Sequence, residues 1–309
     1  MTQRERGFEI TIELKAASAL KILAASMYCM GMRREGYDMT DMKIGIVGAS
    51  GRMGRAVIRQ VTETSGCVVA GASERLDSDA IGRDAGDIAG CGFLGVEIAS
   101  DAETLFKEVD AVIEFSVPNA TVEHSFWAAE AGCIHIIGTT GLTKGDEDSL
   151  KEASKKTTIV YAPNMSMGVN ILFALTRQVS SILDEDFDIE VVEMHHRGKV
   201  DAPSGTALGL GRAAAAGRGT TLERSGVLSR EGITGSRERG AIGFATLRGG
   251  DVPGDHKVIF AADGERIELS HKAGSRQIFA RGAVQAALWA RPKSKGLYSM
   301  LDVLQLNGE

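Results

Sequence analysis

The chain has 309 residues, of which 43% are hydrophobic and 25% are charged, an ordinary globular composition with room for two modest domains. Its net charge of −6 and pI of about 5.6 argue against a surface built to coat nucleic acid. Lys15 and Lys21 interrupt the most apolar segment, 14–32, so we expect no membrane span. The cysteines lack paired spacing, which indicates reduced thiols in a cytoplasmic protein.

Residues 1–41 precede the first convincing strand, which begins at Met42. Methionines recur through this region, at positions 27, 30, 32, 39 and 42. We therefore expect residues 1–41 to be an extension from an early start codon that lies outside the fold. A purified chain that begins at Met39 or Met42 should keep full activity.

A glycine-rich turn follows the first strand. The apolar run 43–47 leads through Gly48-Ala49-Ser50-Gly51-Arg52-Met53-Gly54 into an amphipathic helix. Glycines at such a turn let the chain bend tightly, let the backbone approach a pyrophosphate and let the helix pack close to the strand. The spacing differs from the commoner Gly-x-Gly-x-x-Gly, so the turn by itself is also compatible with one that binds no ligand.

An acidic residue stands where a dinucleotide site requires one. The next strand, 67–72, ends at Ser73-Glu74-Arg75, about twenty residues beyond the glycine turn. A carboxylate at this position binds the hydroxyls of the adenosine ribose, whereas the neighbouring arginine would bind a 2′-phosphate. The pair predicts that NADH and NADPH are both accepted; the alternative is a solvated pair of charges at a strand end.

Strands and helices continue to alternate as far as residue 166. The predicted elements are strands 110–116, 134–137 and 158–161, a turn at 117–120, a helix that runs from its cap Thr121 to Glu130, and a charged surface helix 144–156. This alternation predicts an α/β domain with a doubly wound parallel sheet. Ligands bind such sheets at the carboxyl ends of the strands, so loops 116–119, 138–141 and 162–165 should face the nicotinamide half of a cofactor.

The pattern changes from about residue 167. The predicted elements are a helix at 169–183, a strand at 187–194, a helix at 204–217, a polar loop at 217–240, strands at 243–247, 257–262 and 265–270, and a helix at 277–290. Short loops join the last three strands, which predicts antiparallel hairpins in a second, α+β domain. The final helix and the apolar tail would return to the first domain.

Two histidines stand at the end of the strand 187–194. Neighbouring strand residues point to opposite faces, so we expect His195 and His196 to have different surroundings. Lys199 follows after a short loop. A lysine and a histidine within reach of one bound anion can also deliver a proton, so these residues are candidates for acid–base catalysis.

A helix begins directly after these residues. Pro203 ends any regular structure, Ser204 is a good N-cap, and Gly205-Thr206 opens the helix. A helix N-terminus offers unpaired N–H groups and the positive end of a dipole, which suits a carboxylate or a phosphate. Each residue alone is compatible with a purely structural role, but together they predict an NAD(P)-dependent reductase of a small anion.

These motifs resemble those of the 4-hydroxy-tetrahydrodipicolinate reductase (dihydrodipicolinate reductase) family of bacterial lysine and diaminopimelate biosynthesis. The stretches that carry the resemblance are Gly48-Ala49-Ser50-Gly51-Arg52-Met53-Gly54, Gly138-Thr139-Thr140-Gly141, Glu193-Met194-His195-His196-Arg197-Gly198-Lys199-Val200-Asp201-Ala202-Pro203-Ser204-Gly205-Thr206-Ala207, Ser229-Arg230-Glu231-Gly232 and Gly243-Phe244-Ala245-Thr246-Leu247-Arg248. The resemblance covers essentially Met42 to the end of the chain, and residues 1–41 lie outside it.

The resemblance implies a fold and an activity. The fold is a Rossmann-like dinucleotide-binding domain, 42–166 with 276–309, and a substrate-binding and oligomerisation domain, 167–275, with a mixed, largely antiparallel sheet that builds a homotetramer. The activity is the NAD(P)H-dependent reduction of 4-hydroxy-2,3,4,5-tetrahydrodipicolinate, via dihydrodipicolinate, to 2,3,4,5-tetrahydrodipicolinate. The substrate is a small cyclic imine that carries two carboxylates, which suits a lysine and a helix N-terminus.

The resemblance also implies roles for individual residues. The residues implied to bind NADH or NADPH are Gly48, Ala49, Ser50, Gly51, Arg52, Met53, Glu74, Arg75, Gly138, Thr139, Thr140, Ala162, Pro163, Asn164 and Met165. His195 would be the proton donor or acceptor, and Lys199 a second proton donor. His196, Ser204, Gly205 and Thr206 would hold the substrate. No metal is expected, because the six histidines lack a His-Glu-x-x-His pattern.

Two other functions share part of the pattern. Another two-domain NAD(P)-dependent dehydrogenase of a small anionic substrate would keep the glycine turn, but has no reason to keep the His-His and Ser-Gly-Thr motifs. A non-catalytic NADH-binding redox sensor would keep residues 48–54 and Glu74, yet would tolerate the loss of His195 and Lys199.

Overall fold

The structure is a computed structural model that describes residues 41–306, so residues 1–40 of the predicted extension lie outside the described part. The first elements are β1 (Met42–Val47), α1 (Arg52–Thr62), β2 (Cys67–Ser73), α2 (Ala85–Ala89), β3 (Ile98–Ala99), α3 (Ala102–Glu108), β4 (Ala111–Glu114), α4 (Pro118–Ala131), β5 (Ile134–Ile137), α5 (Lys144–Ala153) and β6 (Thr158–Tyr161). The remaining elements are α6 (Met167–Ile182), β7 (Asp188–His195), α7 (Gly205–Gly217), α8 (Leu222–Ser225), β8 (Gly226–Val227), β9 (Ile242–Arg248), β10 (Asp255–Ala262), β11 (Glu265–Lys272), α9 (Gln277–Ala290), β12 (Gly296–Tyr298) and α10 (Met300–Val303).

The first sheet is parallel and has the strand order β12-β6-β5-β4-β1-β2-β3. All four residues of β4 are buried, as expected for a parallel sheet that helices cover on both faces. Helix α1 buries Ala56, Val57 and Val61, as expected of the amphipathic helix predicted after the glycine turn. The doubly wound parallel sheet predicted from the sequence is confirmed.

Helix α9 brings the end of the chain back to the first sheet. It packs against α1 and strands β4 to β6, and buries a run of small residues that includes Ala280, Ala283 and Ala287. The approach is close: a Cβ built on Gly282 would lie 1.7 Å from the carbonyl oxygen of Met165. Strand β12 then adds to the sheet beside β6. The end of the chain therefore packs on the first sheet.

The second sheet is mixed and has the order β11-β10-β7-β9-β8. Strand β7 alternates regularly, because Ile189 and Val191 are buried in a core shared with α6 and α7 while Asp188 and Glu190 lie on the outer face. It pairs antiparallel with β10 and parallel with β9. The mixed sheet expected for the second half is confirmed.

One part of the predicted strand pairing is wrong. Strands β10 and β11 form the expected antiparallel hairpin, but β9 does not pair with β10. Strand β7 lies between them, because its alternating residues fit the centre of the sheet. The connection 249–254 is long enough to cross the roughly 10 Å that two strand spacings require. Strands β9 and β10 are therefore close in the sequence but are not neighbours in the sheet.

The start of α4 also differs from the prediction. The helix begins at Pro118, with Val117 as an N-cap that makes no side-chain hydrogen bond. Proline suits the first helical position because its missing N–H has no partner there anyway. Thr121 therefore lies within the first turn and is not the cap, which frees its hydroxyl for Glu114. The short elements α2, β3 and α3 were not predicted.

Within residues 41–306, no helix combines the length and the hydropathy needed to cross a bilayer.

Candidate active site

The carboxyl ends of β6, β5, β4 and β1 lie side by side along one edge of the first sheet. Four loops leave this edge, at 48–51, 115–117, 138–143 and 162–166, and three of them contain most of the residues predicted to bind a cofactor. Glu74 and Arg75 follow the neighbouring strand β2, which is parallel to β1 and ends at the same edge. Strand β1 has β2 on one side and β4 on the other, so the strand order reverses there. Doubly wound sheets bind their ligands at this switch point. The predicted cofactor residues therefore share one edge.

The glycine turn after β1 fits a dinucleotide. Gly48 has a φ of +71°, which favours glycine. A Cβ built on Gly54 would lie 2.1 Å from the Gly48 carbonyl oxygen and 2.7 Å from the Ala49 Cα, so α1 can pack this close only without a side chain. Gly51 is the N-cap of α1 and provides no side-chain cap, which leaves the first turn open to a phosphate.

Glu74 lies beside the glycine turn, as its predicted role requires. Its Oε2 accepts hydrogen bonds from the Ser50 amide at 3.1 Å and from the Ser50 hydroxyl at 2.7 Å. Arg75 is exposed, and its Nε lies 3.1 Å from Oδ1 of Asp77. The carboxylate is thus held at the turn, while the guanidinium reaches solvent next to it.

The loop after β5 combines an anchored residue with an exposed one. Thr139 is buried, and its Oγ1 accepts a hydrogen bond from the Ser116 amide at 3.0 Å and lies 2.8 Å from the hydroxyl of Thr121. Its neighbour Thr140 is exposed. The loops after β4 and β5 are therefore tied together at the sheet edge, with Thr140 free to face a ligand.

The loop after β6 connects the two halves of the candidate site. Asn164 Nδ2 donates a hydrogen bond to Oγ1 of Thr206 at 3.1 Å, which joins a predicted cofactor residue to a predicted substrate residue. Ala162 and Met165 are buried and Pro163 is exposed. The side chains of Ala162 and Met165 therefore anchor the loop, and a ligand would meet its backbone.

A buried carboxylate links the predicted catalytic histidine to the predicted substrate-binding helix. Glu193 Oε2 is 2.5 Å from His195 Nδ1, and its Oε1 accepts a hydrogen bond from the Ser204 backbone N–H at 3.0 Å. The guanidinium of Arg248 binds both carboxylate oxygens, at 2.9 and 3.0 Å. Glu193 is only 1% exposed, so nearly all of its interactions are with the protein. One side chain thus fixes both the imidazole and the helix start.

This contact determines which nitrogen of His195 can react. Glu193 accepts the hydrogen on Nδ1, so Nε2 is the nitrogen that can exchange a proton with a substrate. Burial holds the pKa of His195 below its ordinary value, Glu193 opposes this shift, and Lys199 and Arg248 add to it. A Cβ built on Gly254 would lie 2.9 Å from Nε2, so a side chain at this position would crowd the reactive nitrogen.

A second buried histidine lies next to His195. The ring of His256 is 5.0 Å from that of His195, edge to face, and its Nε2 lies 3.3 Å from the Ser204 hydroxyl. Burial, together with the nearby His195, lowers the pKa of His256 to about 3, so the ring is neutral at ordinary pH. Ser204 caps α7 as predicted, because its Oγ accepts a hydrogen bond from the Ala207 amide at 3.1 Å.

Lys199 and His196 lie at the mouth of the site. Lys199 Nζ is 2.7 Å from Oδ1 of Asp201, and its side chain is 22% exposed. His196 is partly exposed whereas His195 is buried, so the two histidines have different surroundings, as predicted. A cleft of about 470 Å³, large enough for a small ligand, lies beside His196 and is lined by Arg52, His196, Arg197, Gly198, Gly250, Asp251 and Arg276. The cleft therefore joins residues from both halves of the site.

Three residues of the site, Glu193, Arg248 and His256, were given no role from the sequence. The position of Glu193 next to His195 could have been predicted, because residues two apart on a strand share a face and Glu193 precedes His195 by two. Arg248 and His256 lie on β9 and β10, which are next to β7 only because of the pairing that was predicted wrongly.

Comparison with known families agrees with this geometry. A family profile described as "Dihydrodipicolinate reductase, N-terminus" matches residues 42–165, and one described as "Dihydrodipicolinate reductase, C-terminus" matches residues 168–304. The chain belongs to the dihydrodipicolinate reductase family. This membership makes it an NAD(P)H-dependent oxidoreductase of lysine and diaminopimelate biosynthesis and confirms the family predicted from the sequence.

Curated members of the dihydrodipicolinate reductase family are similar over most of the chain. The 4-hydroxy-tetrahydrodipicolinate reductase of Rhodopseudomonas palustris (strain BisB18) is 54% identical over 269 residues, which is 87% of this chain and 99% of that protein. That of Chelativorans sp. (strain BNC1) is 56% identical over 267 residues, or 86% of this chain and 96% of that protein.

Solved structures support the fold of the dihydrodipicolinate reductase family. A dipicolinate-bound dihydrodipicolinate reductase from Paenisporosarcina sp. TG-14 aligns with a TM-score of 0.66 at 22% identity, covering 85% of this chain and 99% of that one. An amine dehydrogenase from Mycobacterium smegmatis aligns with a TM-score of 0.56 at 14% identity, covering 86% and 96%. At these identities the likeness concerns the fold alone.

Proposed function

We propose that the chain catalyses the NAD(P)H-dependent reduction of 4-hydroxy-2,3,4,5-tetrahydrodipicolinate, via dihydrodipicolinate, to 2,3,4,5-tetrahydrodipicolinate. The observation that carries the proposal is the double contact of Glu193, which binds both the His195 imidazole and the Ser204 backbone N–H. A proton-transfer group and an anion-binding helix start are thereby fixed to each other, as reduction of a carboxylate-bearing imine requires.

Each candidate residue has a distinct task in this reaction. The N-terminus of α7, at Gly205 and Thr206, binds one substrate carboxylate through backbone N–H groups, with Ser204 at its cap. His196 and Lys199 bind the substrate from the other side of the loop. Bound NAD(P)H supplies the hydride.

Proton transfer completes the reduction. His195 gives the proton that the resulting enamine requires, through Nε2, because Nδ1 is engaged by Glu193. Lys199 serves as a second proton donor. Lys199 pairs with Asp201, whose side chain is half exposed, so a dianionic substrate can replace this carboxylate as the partner of the ammonium.

The cofactor would occupy the edge of the first sheet. Residues 48–53 bind the pyrophosphate, Glu74 binds the adenosine ribose, and the loops at 138–140 and 162–165 bind the nicotinamide half. The absence of a side-chain cap at Gly51 and the hydrogen bonds between Glu74 and Ser50 support this assignment.

A coupled assay tests the reaction. The synthase that forms the substrate is added, and nicotinamide absorbance is followed with NADH and NADPH in turn. Oxidation that depends on the synthase supports the proposal. Binding of NADH without any turnover would favour a redox sensor, and turnover with other small anions alone would favour a different dehydrogenase.

We further propose that both NADH and NADPH are accepted, with Arg75 binding the 2′-phosphate. Arg75→Ala is expected to raise the KM for NADPH about tenfold, because a charge-assisted hydrogen bond is lost, and to leave the KM for NADH unchanged. Arg83→Ala, which removes another exposed arginine of the same region, is the matched control. Equal KM values for NADPH in wild type and Arg75→Ala would contradict this role.

A homotetramer built through the second sheet is also proposed. The outer face of this sheet carries Val192 and Met194 on β7 and the half-exposed Leu247 on β9, an apolar strip that favours burial against another subunit. Sedimentation equilibrium at micromolar concentration measures the assembly. A monomer under these conditions would contradict the proposal.

We propose the division of the chain into a cofactor-binding domain, 42–166 with 276–309, and a substrate-binding domain, 167–275. The packing of α9 and β12 on the first sheet supports it. Limited proteolysis tests it, since early cleavage should fall near 166 and 275 and not within either range.

We propose a cytoplasmic location because the cysteines do not form disulfides within the described residues. Cys67, Cys91 and Cys133 are free, which suits a reducing compartment. Cell fractionation with detection of this chain measures the location, and recovery outside the cytoplasm would contradict it.

A further inference from the structure

A fully buried carboxylate lies beneath the loop that follows β5. Glu114 ends β4 and has no exposed surface. Its Oε2 is 2.5 Å from Nδ1 of His124 on α4 and 3.5 Å from Nε2 of His135 on β5. Burial alone would raise the pKa of Glu114, but His135 and His124 outweigh it and hold the pKa well below its ordinary range. The group is therefore an anion, and none of the catalytic steps above uses it.

Aromatic rings pack against the two histidines on one side of this carboxylate. The Phe106 ring from α3 packs 5.8 Å from that of His124 and 5.2 Å from that of His135, and Trp127 on α4 stacks 5.1 Å from His124. An anion in such a setting is expensive in free energy unless each oxygen is hydrogen-bonded. The remaining oxygen, Oε1, therefore determines what the group does.

Two hydroxyls connect Oε1 to the loop at 138–141. Thr121 Oγ1 donates a hydrogen bond to Glu114 Oε1, and it lies 2.8 Å from Oγ1 of Thr139. A hydroxyl has a single proton, so when Thr121 gives its proton to the carboxylate, Thr139 must donate to Thr121. Thr139 also accepts the Ser116 amide hydrogen at 3.0 Å. The anion thus sets the direction of a hydrogen-bond chain that ends in the loop.

We propose that Glu114 is a positioning residue for the cofactor, acting through Thr121 to hold Thr139 and the loop 138–141 in the conformation that binds the nicotinamide half. The inference rests on the proposed function, in which this loop contacts the cofactor. The Thr121 hydroxyl is the shorter of two connections, since it touches both the carboxylate and the loop residue, whereas the Ser116 hydroxyl lies 3.4 Å from Oε1. The His124 and His135 contacts lie on the far oxygen.

Two substitutions of Thr121 distinguish the contribution of its hydroxyl from that of its shape. Thr121→Val keeps the branched shape and loses the hydroxyl, whereas Thr121→Ser keeps the hydroxyl and loses a methyl group. We expect Thr121→Val to weaken NADH binding, measured by fluorescence titration, about five- to tenfold, the effect of one lost hydrogen bond. Thr121→Ser should bind NADH within about twofold of wild type. The KM for the dicarboxylate substrate should not change in either variant.

The matched control is Thr176→Val on α6. Thr176 is equally buried, and its hydroxyl has no hydrogen-bond partner within residues 41–306, so the change should leave NADH binding as in wild type. Thr121→Ala is a second hydroxyl-free variant should Thr121→Val fold poorly. Melting temperatures of all variants identify any general loss of structure.

Three outcomes would overturn the inference: NADH binding by Thr121→Val or Thr121→Ala equal to wild type, equal weakening in Thr121→Ser and Thr121→Val, or equal weakening in Thr176→Val. Failure of the proposed function looks different, because the wild-type chain would then neither bind NADH nor oxidise it in the coupled assay.

Discussion

Replacement of His195 or Lys199 by alanine is expected to lower kcat by a factor of roughly 10²–10⁴, the contribution of a positioned proton donor. His195 is held by Glu193 with one nitrogen left for proton transfer, and Lys199 is the nearby ammonium at the mouth of the site. Neither side chain touches the glycine turn or the loops of the first sheet in the contacts described above. The dissociation constant for NADH should therefore stay close to that of wild type in both variants.

Lys107→Ala is the matched control for the lysine. Lys107 forms an ion pair with Glu103 at 2.6 Å, comparable to that of Lys199 with Asp201, but on α3, which leads into the amino end of β4 and not into a loop of the candidate site. Its removal should leave kcat unchanged. Wild-type turnover in both His195→Ala and Lys199→Ala would exclude these residues from the chemistry.

Substitution of Glu193 by glutamine should have the next largest effect. Glutamine keeps the size of the side chain but loses the charge that binds the guanidinium of Arg248 and the imidazole of His195. Without an anionic acceptor at Nδ1, the imidazolium form of His195, which donates its proton to the substrate from Nε2, is less stable. We expect kcat to fall roughly 10²-fold or more, since loss of the carboxylate beside a catalytic histidine has effects up to about 10⁴ elsewhere.

The pH profile of Glu193→Gln distinguishes catalysis from stability. In wild type, burial lowers the pKa of His195 and Glu193 opposes this shift. Removing the carboxylate therefore lowers the pKa further. If protonated His195 is the acid, activity is present below its pKa and lost as pH rises through it, so the alkaline limb of kcat should move to lower pH.

Glu190→Gln is the control on the same strand. Glu190 forms a bidentate ion pair with Arg230, with both hydrogen bonds at 2.9 Å, but it lies on the opposite face of β7 from Glu193. It should shift neither kcat nor the alkaline limb. A Glu193→Gln variant with the wild-type pH profile and kcat would show that the contact to His195 has no catalytic role.

The first sheet was largely predictable because its signals are local. Each strand is a short apolar run next to a helical segment, and the glycine turn marks the start of α1. The start of α4 was missed because a proline at the first helical position resembles a turn in sequence. The cap assigned to Thr121 was therefore wrong.

The order of the second sheet could not be obtained in the same way. Strand β7 pairs with both β9 and β10 because its buried face fits the core between them. No short sequence pattern predicts such a fit. The same pairing brings Arg248 and His256 to His195, so their place near the site was equally hidden. The candidate site residues themselves came from motif spacing and family resemblance, and their roles stay predictions until the variants are measured.

The contact between Gly282 and the Met165 carbonyl has a consequence for how the protein is made. A ribosome releases residues 42–161, with all but one strand of the first sheet, well before it releases α9 and β12. A nascent chain commonly folds from its N-terminal part first. Here, however, one apolar face of the segment 42–161 stays exposed until α9 and β12, in the last tenth of the chain, can cover it. Chaperones that shield such surfaces should therefore bind this polypeptide during synthesis, until the carboxyl-terminal helix has emerged.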